Sequence, residues 1–392
     1  MVWLLGLAGF MVMADNWVLS PILPAIARSL HIQASAAGLL ITAYMIPFGI
    51  FQIIFGVLSD RYGKKQVISV AMVMFTLATG LCALGTGLTS VALLRALTGI
   101  FAASVMPISF ALIGDLVPVE HRQKAIGTFL GIAYLGQGLS MAVGGTIAFL
   151  YSWQGVFVVY AGLSLIPTAL LLRAYHSLPS GKDPQARMLA PYGELLANPR
   201  SLFTYAVVVL EGGLIIGSFS YCGSLLAKTF GMNSLRIGLV MTGFGVMSVI
   251  GGRLSGRLVA SIGARGVLRL GLGLAAMADL LIWRGGGSLG LFAVAIALMG
   301  LGFIFTHAML VTRATGFAEK SRGAAMALVA FCFMGSGGIG TALGKRIIET
   351  RGMTSLYLIY GLGLVATLLA TGILIRDRRP SAEAVLEAPE PA

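Results

Sequence analysis

The stretch "GVLSDRYGKK", residues 56–65, lies between two long apolar runs, and its reading decides the fold. Gly56 lets two helices approach closely, and Gly63 allows the tight turn of a short loop. Arg61, Lys64 and Lys65 hold that loop at a water-facing membrane surface. Asp60 is the informative residue. A carboxylate there suits the positive N-terminus of a neighbouring helix, and the helix beginning near Gly323 is the expected partner. The stretch therefore reads as the turn of a hairpin of membrane helices.

The rest of the chain extends this pattern. Of 392 residues, 57% are hydrophobic and 10% charged, against roughly 25% charged in soluble domains. The chain is a polytopic membrane protein. Its formal charge of +13 reflects basic loops at one membrane face rather than nucleic-acid binding. Cys82, Cys222 and Cys332 lie in apolar runs at no metal-ligand spacing, so neither a disulfide nor a zinc site is indicated. The first run lacks a basic leader and a small-residue cleavage site, and a retained helix is expected rather than a signal peptide.

Runs of about 20 apolar residues suffice to cross a bilayer. Twelve are expected, near 3–27, 36–58, 67–86, 90–116, 125–150, 155–173, 201–227, 235–256, 267–283, 289–312, 323–344 and 354–375. Residues 174–200, rich in Pro and polar side chains, form a central loop between an N-terminal bundle (1–173) and a C-terminal bundle (201–379). Residues 380–392 have the composition of a disordered tail. Most Lys and Arg, among them Arg122, Lys124, Lys182, Arg187, Arg257 and Lys320, fall on the face that also holds both termini. That face is expected to be cytoplasmic. The halves also match: "GVLSDR" (56–61) returns as "GRLSGR" (252–257), and "EHRQKAIG" (120–127) returns loosely as "EKSRGAAMA" (319–327). Parallel repeats of this kind place a substrate site between them near the midplane.

On these residues the chain resembles the twelve-helix major facilitator transporters. "GVLSDRYGKK" is similar to that family's G-x-L-x-D-R-x-G-R/K-R/K signature, which implies a latch formed by Gly56, Asp60, Arg61, Gly63, Lys64 and Lys65. "RALTG" (95–99) resembles the R-x-x-x-G of proton-coupled antiporters, with snorkelling of Arg95 to the membrane surface as the alternative. Gly127, Gly136, Gly144 and Gly145 stand at the spacing of the drug-efflux branch's G-x8-G-x3-G-P-x2-G-G, with Ser140 and Met141 replacing a glycine and the proline. These are expected to pack helix 5 closely on a helix of the other half. "SWQGVFVV" (152–159) resembles the start of helix 6, with Gln154 in place of Arg. The resemblance implies an all-α membrane fold of two six-helix bundles around a cavity lined by helices 1, 4, 7 and 10. It implies no cofactor, a small-molecule substrate, protons and membrane lipid as partners, and a monomer in the cell membrane.

Acids inside the bilayer are expensive and point to function. Asp15 and Glu211 fall about twelve and ten residues into their runs, near the midplane at 1.5 Å per residue, on helices 1 and 7 of the repeat. Asp15 is expected to face a water-filled cavity with Asn16, Trp17 and Arg95, and to matter more than Glu211. A protonated, purely structural acid is the alternative for both. Asp279 reads as an interfacial partner of Arg284, and His307 as either a proton relay or a packing residue. Trp17, Tyr44, Phe48, Tyr134, Phe219, Tyr221, Phe303 and Phe305, with 18 methionines, suit an apolar or amphipathic cargo. No nucleotide-binding loop, metal-binding H-E-x-x-H or nucleophile–base spacing occurs, which argues against an enzyme. The expected function is a proton-coupled efflux antiporter. An importer or facilitator of a small organic solute and a lipid flippase are the alternatives.

Overall fold

Backbone groups in hydrocarbon must bond within their own segment, so such runs fold as helices. The computed structural model describes residues 1–179, 190–317 and 322–374. Ten single helices among the described residues are long and apolar enough to cross a bilayer. Val2–Trp17 and Leu19–Ser29, bent by 47°, form an eleventh crossing together. Helix Ser234–Gly285 has 52 residues, about 78 Å of rise against about 30 Å of hydrocarbon, so it holds two spans. It breaks at Gly263, whose φ of 73° and ψ of 162° only glycine adopts readily.

This gives the twelve expected spans. Span 1 is the bent pair; spans 2 to 6 are Ala34–Tyr62, Lys64–Leu84, Leu88–Leu116, Val119–Leu150 and Trp153–Arg173. Span 7 is Pro199–Phe230, spans 8 and 9 are residues 234–262 and 264–285, and spans 10 to 12 are Leu289–Gly316, Gly323–Arg351 and Met353–Gly372. A short helix, Ala190–Ala197, precedes span 7 within the central loop. Met1, Gly63 and Gly263 share one face of the bundle, here the N-terminal face. The turns at His31, Gly231 and Gly352 lie on the opposite, far face. Residues 180–189, the 318–321 connection before span 11, and 375–392 with the expected tail lie outside the described residues.

The repeat is visible in matched contacts. Tyr160 donates to the Ser140 carbonyl at 3.0 Å, and Tyr360, two hundred residues on, donates to the Gly340 carbonyl at 2.6 Å. A Cβ at Gly99 would collide with the Tyr44 carbonyl, and one at Gly300 with the Phe244 carbonyl. Gly63 (φ 102°) and Gly263 turn the chain at corresponding loops, the second about one helical turn further along.

Helix irregularities have local causes. Pro21 cannot bond the Trp17 carbonyl, which bends span 1 just past Asp15. Span 7 carries a π-helical turn, Gly212–Ile216, directly after Glu211, and departs from helix again at Ser220–Tyr221. Span 5 is one unbroken helix, as its lack of the motif proline allows.

The four glycines expected to fit span 5 against the other half divide. Gly145 does so: a Cβ there would strike the Ser234 carbonyl and Gly238 of span 8. Gly136 and Gly144 instead accommodate Phe10 and Val18 of span 1, in their own half, and Gly127 has nothing within 4 Å. Gly138 and Gly245 add a second backbone-to-backbone contact between spans 5 and 8.

Candidate functional site

Asp15 and Glu211 are displaced by 196 residues, as are Gly56 and Gly252. Their surroundings nevertheless differ. Arg95 Nη1 donates to Asp15 Oδ2 at 2.7 Å and Nη2 to the Asp15 carbonyl at 3.2 Å. The guanidinium lies 4.3 Å from the centre of the Tyr44 ring and 5.6 Å from that of Phe157. Both charged side chains are buried. Arg95, Tyr44, Phe157, and the nearby Cys82 and Tyr160 all belong to spans 2 to 6. Asp15 thus points into the N-terminal bundle and not into a cavity between halves, which corrects the position expected for it. Arg95 does not snorkel. It is held in place by the acid.

The next two residues of span 1 turn toward the other half, as about 100° per residue requires. Asn16 Nδ2 reaches Met334 Sδ at 3.9 Å. Trp17 stacks on Phe244 at 5.2 Å and meets Phe219 edge-on at 5.5 Å and Phe303 at 6.1 Å. Phe333 continues the cluster, 5.6 Å from Phe303. Aromatic rings therefore fill the centre where an open cavity was expected. Two open clefts of about 350 and 380 Å³ lie elsewhere, beside Trp3 and His121 and between Gln66 and Tyr175.

Glu211 belongs to this central cluster. Its Oε2 is 3.2 Å from His307 Nδ1, and Tyr134 of the N-terminal half is within electrostatic reach. The His307 ring packs 5.3 Å from Phe303 and 4.6 Å from Phe333, with 14% of its side chain exposed. Glu211 Oε1, Trp17 Nε1 and Gln137 Nε2 are buried with no partner. The glycine pair at 212–213 lets span 7 run against span 11, since a Cβ at Gly212 would strike the Phe333 carbonyl and Ser336.

The far face is closed by bonds between halves. Ser20 donates to the Phe219 and Ser220 carbonyls at 3.0 and 3.1 Å, and Thr42 to the Gly338 carbonyl at 3.0 Å. Tyr221, held within its own half by donating to the Thr341 carbonyl at 2.9 Å, approaches the Ser35 carbonyl of the other half at 3.4 Å, and Ser35 reaches Glu349 at 3.3 Å.

On the N-terminal face, Lys64 pairs with Asp115 at 2.6 Å, Lys65 lies 4.9 Å from the Tyr175 ring and Arg61 lies 5.7 Å from the Tyr62 ring. Asp60 lies near Tyr192 of the short central helix. Burial first, and the Asp60 carboxylate second, push that phenol above its usual pKa. The connection leading into span 11, part of the expected latch partner, falls outside the described residues. Asp279 is corrected outright: it is fully buried and makes no ion pair with Arg284.

Sequence reasoning named Trp17, Phe219, Phe303, Glu211 and His307 but missed Phe244, Phe333 and Gln137. Phe244 was within reach, because it stands two hundred residues after Tyr44, just as Gly300 stands close to two hundred after Gly99. Phe333 and Gln137 left no comparable signal.

The Major Facilitator Superfamily model matches residues 5–225 and 217–391. The MFS-type transporter YceJ of Bacillus subtilis (strain 168) is 28% identical over 265 residues, 67% of either chain. The hexuronate transporter of the same organism is 33% identical over 162 residues, 41% of this chain and 38% of that one. Among solved structures, a point mutant of the nucleoside transporter NupG superposes with a TM-score of 0.80 at 13% identity, over 96% of this chain and all of that one.

Proposed function

This chain belongs to the major facilitator superfamily and is a multi-pass secondary transporter of a small molecule, and we propose that it is a proton-coupled antiporter exporting amphipathic organic cations. The observation that carries this reading is the pairing of buried Glu211 with the partly exposed His307 inside an aromatic cluster between the halves. A cationic, partly apolar cargo matches such a wall, through ring faces and one carboxylate. Glu211 can balance the positive charge of His307, of a proton or of a cargo, but not of several at once. A cation settling on Glu211 removes the reason for His307 to be protonated, and a proton leaves. That competition is the exchange.

In this reading Trp17, Asn16 and Gln137 border the cargo, with the Trp17 N–H available to an acceptor on it. Asp15, Arg95 and Tyr44 brace span 1 against span 4 within a bundle comprising residues 1–173. Spans 7 to 12 form the other bundle, and the two rock against each other. The N-terminal face, with both termini, is cytoplasmic, and the closed far face faces outward. The Gly56–Lys65 loop latches the cytoplasmic side when the far side opens. The unbroken span 5, lacking the drug-efflux proline and with Gly127 unpacked, favours the second reading, a facilitator or importer of a small organic solute.

The test uses inside-out vesicles with an acid interior and tetraphenylphosphonium as the probe cation. Adding the probe should dissipate the pH gradient with wild-type protein and leave it intact with Glu211→Gln and His307→Gln. Unchanged dissipation with Glu211→Gln at equal expression would sink the assignment.

A further inference from the structure

Asp279 is completely buried, and neither of its carboxylate oxygens has a partner at full hydrogen-bond geometry. It lies on span 9, sixteen residues past Gly263 and six before Gly285, hence well toward the far face. Spans 7 and 12 enclose it. Gly361 makes room for it, since a Cβ there would come within 3.2 Å of the Asp279 Cβ. The Ser218 hydroxyl of span 7 donates to the Ile215 carbonyl at 3.1 Å and presents its oxygen to the Asp279 carboxyl. The titratable groups that face it are Cys222 on span 7 and Tyr357 and Tyr360 on span 12. Two of these hydroxyls are committed, Tyr357 to Cys222 Sγ at 3.6 Å and Tyr360 to the Gly340 carbonyl at 2.6 Å. Among the described residues no cation pairs with Asp279; Arg284, on its own helix, is exposed at the far end.

A carboxylate so placed would be an unpaired buried charge, which proteins avoid by keeping the group neutral. Apart from the Ser218 hydroxyl, no group on a neighbouring helix is placed to take its proton among the described residues. Its position gives it a further task. Ser218 is followed by Phe219 and Ser220, whose carbonyls take the Ser20 hydroxyl and so seal the far face. The helix departure at Ser220–Tyr221 is what exposes that stretch of backbone to a partner from the other half.

We propose that Asp279 is a second proton-carrying group of this transporter, separate from the Glu211–His307 pair, whose proton holds the far face shut. With the proton on, span 7 packs on an uncharged side chain and the Ser20 seal stands. When the proton leaves to far-side water, the carboxylate needs hydration, and the closed arrangement around Ser218 is disfavoured against one that admits water. Rebinding of a proton from the far side restores the seal.

The experiment is a distance measurement on the full chain in nanodiscs. Spin labels are placed on introduced cysteines at Tyr151 and Thr350, exposed far-face positions in opposite halves. The three native cysteines are buried in the closed structure, so labelling is done at acid pH, where the seal is expected to stand. The separation should lengthen as the buffer is made alkaline. Asp279→Asn and Asp279→Leu, both permanently neutral, should lose that response and stay at the short, acid-pH distance. Glu211→Gln, run in parallel, should keep it. Three outcomes overturn the proposal: no pH response in the labelled wild-type chain, a response preserved in either Asp279 variant, or a response abolished in Glu211→Gln as well, which would trace it to the central pair.

Discussion

Asp15 and Arg95 form a buried pair in which each charge exists for the other, and this governs what substitutions there do. Removing one partner strands the other in a low-dielectric interior, a loss of about 3–5 kcal/mol. Asp15→Ala and Arg95→Ala should each lower the thermal unfolding temperature sharply. The double variant Asp15→Leu/Arg95→Met should regain most of it, because well-packed apolar residues replace buried pairs at little loss. Additive losses in the double variant would contradict the bracing role. Tyr44→Phe makes a finer test. It keeps the ring beneath the guanidinium and deletes a buried hydroxyl that has no partner, so unfolding should be unchanged or slightly later. The sequence singled out both acids and expected Asp15 to face the centre, but it is Glu211 that borders the central cluster. Depth follows from rise per residue, whereas the direction of a side chain depends on helix rotation and on the partner that claims it. Arg95 claims Asp15, and the π turn after Glu211 swings the other acid toward His307.

Elements are where small residues decide which half touches which. Spans 5 and 8 meet through Gly145, Gly138, Gly238 and Gly245, with backbone against backbone. Gly238→Ala would drive a methyl into the Met141 carbonyl, costing about 1–3 kcal/mol. Because that contact joins the halves near the sealed face, cross-linking across the far face should fall as stability falls. Gly127→Ala, with open space around it, should leave unfolding unchanged or improve it by up to about 1 kcal/mol. A loss at Gly127 equal to that at Gly238 would show that helix propensity and packing have been confused. The spacing of the span 5 glycines was legible in sequence, but their partners were not. Four glycines on one helix point in different directions, so two serve span 1, one serves span 8 and one serves nothing. Gly263 was also missed as the divider of spans 8 and 9, since a lone glycine looks like any other until its φ is known.

At the scale of the whole molecule, hydropathy and the positive loops already implied twelve spans and a repeat. The 52-residue helix obscures that count until its break at Gly263 is seen. What the sequence could not supply is the state of the centre, because composition does not say whether aromatic side chains line a void or fill it. Here they fill it, the far face is sealed, and the His307 ring keeps a partial opening. An occupant must therefore part the Trp17–Phe244 stack, so Trp17→Ala should weaken tetraphenylphosphonium binding by at least several-fold while leaving the fold intact, as titration calorimetry can read. The most direct test of proton-driven exchange is uptake of that cation into proteoliposomes holding purified protein and an acid interior. Coupling through Glu211 and His307 requires accumulation above the outside concentration, abolished by collapsing the pH gradient with nigericin and absent with Glu211→Gln. Entry that stops at equal concentrations on both sides and ignores the pH gradient would contradict it, and would make the protein a facilitator.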